Sequence, residues 1–67
     1  MNKKKLKLVM NLNHDTQAEL AKYLGISRTT LSLKLNNKSD FKSIEINKIM
    51  HRYNLPIHLA QKIFFEW

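Results

Sequence analysis

A single glycine and a single proline are all that punctuate this 67-residue chain. These two residue types end regular structure most strongly, so their scarcity leaves long runs free to coil into helix. No segment alternates apolar and polar residues in the manner of a half-buried strand, and the chain holds no repeat or low-complexity stretch. These features predict an all-α chain in which residues 1–67 form one small domain.

Apolar spacing places the helices. Leu6, Val9 and Met10 of the N-terminal MNKKKLKLVMNL fall at i, i+3 and i+4, one face of a first helix. Lys7 and Asn11 break the apolar run well short of a signal-peptide core. Lys3, Lys4 and Lys5 oppose the dipole at the start of that helix, which leaves room for another use, a mobile basic arm. A second helix opens at Thr16 with the capping box TQAE: the Thr16 hydroxyl takes the Glu19 N–H and the Glu19 carboxylate reaches back. Gln17, Leu20, Ala21 and Leu24 mark its inner face. Gly25 ends it in a left-handed conformation, Ile26 drops into the core, and Ser27 caps a third helix from about Arg28 to Asn36. Ile46, Ile49, Met50 and Tyr53 stripe a fourth helix that begins near Ser43, with Phe41 in the preceding loop. Asn54, Leu55 and Pro56 stop it, and Pro56 suits the first position of a fifth helix, where its missing N–H has no helical partner. Ala60, Ile63, Phe64 and Trp67 share one face of that helix.

Charge narrows the function. Twelve Lys and Arg face five Asp and Glu, a net +7 on 8.0 kDa, which favours a polyanionic partner, nucleic acid before an anionic membrane. The absence of cysteine removes disulfides and thiolate metal sites and fits a reducing cytoplasm. His14, His51 and His58 have no paired metal-ligand spacing, because Pro56 separates the last two. The carboxylates Asp15, Glu19, Asp40, Glu45 and Glu66 are scattered, and no nucleophile, base and orienting group can be assembled. The expectation is a binding protein without catalysis, metal or cofactor.

The stretch QAELAKYLGISRTTLSLKLN resembles the helix-turn-helix of the lambda-repressor-like family of phage repressors and Cro proteins. The resemblance rests on Ala21, on Gly25 four residues later, on Ile26, and on Leu31 six residues beyond the glycine. The remainder is similar to small phage regulators in which a fourth helix follows the motif and a fifth closes the domain, so the likeness covers roughly Leu6 to Phe65. The family usually has an apolar residue where Lys34 stands, and Leu35 takes over that core position.

What the resemblance implies is a compact five-helix domain that lays its third helix in the major groove of an operator, as a Cro-type repressor acting in the bacterial host cytoplasm. The alternative is an antirepressor that uses the same fold to sequester a partner repressor. On the first reading Arg28 and Thr29 read bases, Leu33 follows one turn later against a thymine methyl, and Ser32 lies on the flank nearer the backbone. Arg28 faces a guanine or a phosphate or is a free surface arginine, and Leu33 is otherwise a lone surface leucine. Gln17 and Ser27 are backbone contacts, Ser27 being otherwise only a cap, and Asn37, Lys38 and Lys42 look like phosphate contacts. Phe65 falls at the edge of the last apolar stripe, exposed, and either forms with Trp67 a weak two-fold contact between copies on half-sites or folds back onto the domain at a frayed end.

Overall fold

The computed structural model describes residues 1–65 and consists of five α-helices with no strand among those residues. They are α1 (Lys3–Leu12), α2 (Gln17–Leu24), α3 (Arg28–Leu35), α4 (Ser43–Tyr53) and α5 (Ile57–Phe64). Trp67, with the helix face and the two-fold contact assigned to it from the sequence, lies outside the described residues.

Each of the first three helices starts on a side-chain cap that satisfies a backbone donor with no helical partner. Asn2 Oδ1 accepts the Lys5 N–H at 3.1 Å, the Thr16 hydroxyl oxygen accepts that of Glu19 at 3.1 Å, and the Ser27 hydroxyl oxygen accepts that of Thr30 at 3.0 Å. The reciprocal half of the Thr16 box is absent: among the hydrogen bonds of the described residues none runs from the Thr16 N–H to Glu19. The N-terminal lysines are not an arm. They form the first turn of α1, and the Asn2 N–H donates to the Ile63 carbonyl at 2.6 Å, fastening the start of α1 to the end of α5.

Four helix ends close by one device, in which a residue in the left-handed region lets two N–H groups reach back to the last carbonyls. Gly25 (φ 74°) does this after α2, with the Ile26 N–H on the Ala21 carbonyl at 3.0 Å. His14 (φ 55°), Asn37 (φ 61°) and Asn54 (φ 53°) do the same after α1, α3 and α4 without glycine. Pro56 is corrected by one position. Its ψ of 155° is extended and its carbonyl accepts from Leu59 and Ala60, so it is the N-cap of α5 and the helix begins at Ile57.

A Cβ added at Gly25 would meet nothing within 4 Å, so the cost of Gly25→Ala is confined to the backbone conformation. We expect a loss of about 1–2 kcal/mol. Gly25→Asn should lose less, since asparagine visits this region with a local hydrogen bond. Thermal melts of the two variants check this, and an Ala variant as stable as the parent would contradict it.

The core is drawn from every helix. Leu6, Leu20, Leu31, Leu35, Ile49 and Ile63 are fully buried, each contributing about 1.5–3 kcal/mol relative to exposure. Met10, Ala21, Leu24, Tyr53, Ala60 and Phe64 complete it, while Val9, Ile26, Ile46 and Met50 are half-buried against it. α3 packs chiefly on α2, and α5 packs on α1 and α4. Phe41, in the loop between α3 and α4, meets Phe64 edge-on with ring centres 5.7 Å apart, which holds that loop against α5.

Candidate functional site

The burial pattern of α3 divides it into two sides. Leu31 and Leu35 are inside, and Arg28, Thr29, Leu33 and Asn36 are exposed, Leu33 at 47 %. This matches 100° of rotation per residue, which puts positions 31 and 35 on one face and 29, 33 and 36 on another. α3 and its flanks carry no carboxylate from Gly25 to Ser39. The outer face is therefore a short strip of guanidinium, hydroxyl, amide and one isobutyl group with nothing of opposite sign beside it in sequence.

Ser32 and Gln17 are half-buried. The Ser32 carbonyl accepts the Asn36 amide at 2.9 Å, and Gln17 opens α2 just after the Thr16 cap. The Ser27 hydroxyl is engaged twice within its own turn, accepting from the Thr30 N–H and donating to Thr30 Oγ1 at 2.8 Å. Asn37 donates from Nδ2 to the Met1 carbonyl at 3.4 Å, and Lys38 follows with an exposed side chain. Lys42 is the N-cap residue of α4, its side chain in solvent and its N–H given to Glu45 Oε1 at 2.8 Å. Thr29 and Leu33 thus share the free side of α3 and Arg28 stands at its exposed start, while Asn37 and Lys38 stand just beyond its C-terminus and Lys42 at the head of α4. Phe65 caps α5 and is 63 % exposed, as its place on the edge of the stripe requires.

Two ion pairs escaped the sequence reading. Lys34 is buried alongside Leu35 rather than replaced by it, with Nζ 2.5 Å from Glu45 Oε1 and 5.9 Å from the centre of the Phe41 ring. The signal was present: Leu31, Lys34 and Leu35 are spaced i, i+3 and i+4, which puts the lysine on the core face. Burial alone would raise the Glu45 carboxyl, but hydrogen bonds from Lys34 and the Lys42 N–H outweigh it and hold the group below its ordinary value. The second pair joins Asp15 to Arg52 through two hydrogen bonds of 2.8 Å, and the Tyr53 hydroxyl donates to the same carboxylate. Arg52 also lies over the Tyr23 ring, 4.7 Å from its centre. The Arg52 hydrogen bonds hold the Asp15 carboxyl below its usual range, while burial first, then that carboxylate, pushes the Tyr53 hydroxyl up. Each pair sets one positive side chain against one negative one, so the net charge is unchanged. Asp15 and Glu45 are absorbed internally, and Glu19 and Asp40 are the carboxylates outside ion pairs among the described residues.

Over the described residues, fold and surface together define a small five-helix, all-α chain with a basic exterior. No helix among the described residues is long and apolar enough to cross a membrane. The chain belongs to the family described as "Protein of unknown function (DUF739)", whose model matches residues 4–67. No curated protein and no solved structure matches it.

Proposed function

We propose that the chain binds double-stranded DNA in a sequence-specific manner, as a lambda-repressor-like helix-turn-helix regulator of the Cro type, and acts by occupying an operator without catalysing a reaction. The observation that carries this reading is the two-sidedness of α3. A helix anchored by Leu31 and Leu35, entered through the tight turn at Gly25, presents Thr29 and Leu33 on its free side and Arg28 at its exposed start.

On this reading α3 enters the major groove with its N-terminal residues toward the base edges. The Arg28 fork suits guanine O6 and N7, Thr29 offers a hydroxyl to either kind of edge, and Leu33 suits a thymine methyl. Ser32 lies toward the flank. Gln17 and Ser27 sit at the starts of α2 and α3, where free N–H groups favour a phosphate. Asn37, Lys38 and Lys42 meet the backbone beyond the reading helix. Exposed Phe65 supplies a weak contact between two copies on adjacent half-sites. Such a regulator works in the bacterial cytoplasm on phage or prophage operators.

The reading makes affinity for duplex DNA fall log-linearly with salt, because each lysine on a phosphate releases counterions. Lys38→Ala should weaken all sequences alike and flatten the slope of log K against log salt by about one unit. Anisotropy titrations of labelled duplex over a salt series check this. An affinity indifferent to salt would remove the DNA reading.

A further inference from the structure

α3 is eight residues long, and only two leucines anchor it to the fully buried core. Leu31 and Leu35 are one turn apart on a single line, so they fix its distance from the core better than its roll about its own axis. Roll decides where the reading side chains stand. With side-chain tips about 6 Å from the axis, a roll of about 20° moves them by about 2 Å, several times the tolerance of a hydrogen bond.

The third buried side chain on α3 is Lys34, and its contact is directional. Nζ meets Glu45 Oε1, and the same oxygen accepts the Lys42 N–H that starts α4. One carboxylate oxygen therefore links the flank of α3 to the first turn of α4. Both residues are 5 % exposed, and no buried side-chain polar atom among the described residues lacks a partner. Apolar residues of similar volume would fill this space at no net loss of stability, because desolvation cancels much of the attraction of a buried ion pair. What an apolar filling does not supply is a fixed direction.

Resting on the proposed DNA-binding reading, we infer that Lys34 and Glu45 are positioning residues for recognition: their shared hydrogen bond sets the roll of α3 and with it the register of Arg28, Thr29 and Leu33 on base edges. Neither residue touches DNA in this account.

The test is the double variant Lys34→Met/Glu45→Gln, in which the amide oxygen still accepts the Lys42 N–H. Wild type is first used to select sites from a random-sequence duplex pool, and both proteins are then titrated with a selected duplex and with unselected duplex. The variant should melt within a few degrees of wild type and keep its affinity for unselected duplex. Its preference for the selected site should drop about ten-fold or more, the discrimination that one good base contact supplies. Wild-type discrimination in the folded variant would overturn the inference, as would equal losses on both duplexes, which mark a general weakening. If Lys34→Met/Glu45→Gln does not fold, Lys34→Leu/Glu45→Gln takes its place. Failure of both to fold would make the pair a requirement of the fold and also overturn the positioning role. A wild type that enriches no sequence from the pool fails differently, by removing the DNA reading itself.

Discussion

Glu45→Ala should be among the most destabilising single substitutions in the chain, lowering stability by about 3–5 kcal/mol. It leaves the Lys34 ammonium at 5 % exposure with no counter-charge, and the Lys42 N–H at the head of α4 loses its acceptor. A 67-residue domain has about 3–10 kcal/mol in total, so much of the population would unfold. The single and double variants should differ in sign of lesson: removing one partner strands a charge, whereas replacing both does not. Urea denaturation followed by circular dichroism measures this, and a loss under about 1 kcal/mol would show that Lys34 finds water or another partner.

Arg52→Ala should cost about 3 kcal/mol, because it strands the Asp15 carboxylate, whose side chain is 4 % exposed, with only the Tyr53 hydroxyl. It also removes the guanidinium from the Tyr23 ring and unfastens the α1–α2 connection from α4. The pH dependence identifies the cause. In the wild type the folded Asp15 carboxyl titrates below its ordinary value of 3.8, so the unfolded chain binds the proton first as pH falls. The stability that Asp15 provides is therefore complete above about pH 5 and is lost as pH drops through its ordinary value of 3.8 toward the lower folded one; Glu45 behaves alike from its ordinary 4.5. In Arg52→Ala the Asp15 share disappears, and the decline with acid should shrink to that of Glu45. Denaturation midpoints from pH 7 to pH 2.5 test this, and an undiminished acid decline in the variant would assign it to other groups.

The helices were legible because their signals are local. The stripes Leu20–Ala21–Leu24 and Ile49–Tyr53, the caps Thr16 and Ser27, and the turn at Gly25 each depend on residues within a few positions of one another. The ends at His14, Asn37 and Asn54 were less legible, since those residues enter the left-handed region only when the following N–H finds a carbonyl five residues back. The ion pairs were not legible as pairs. Lys34 and Glu45 are 11 residues apart and Asp15 and Arg52 are 37 apart, and only the tertiary fold brings them within hydrogen-bond reach. The exposed face of α3 followed directly from helical rotation once Leu31 was set inward, so the candidate surface was readable where its supporting shell was not.

If the exposed side of α3 reads bases, Arg28 at its start is the side chain whose loss shows it. Anisotropy titrations of wild type and Arg28→Ala with a duplex selected from a random-sequence pool, and with unselected duplex, separate reading from general attraction. Arg28→Ala should lose about 1–3 kcal/mol on the selected duplex, relax the preference at one base pair, and change binding to unselected DNA much less. A wild type that binds selected and unselected duplex equally, or an Arg28→Ala loss of the same size on both, would contradict base reading by α3.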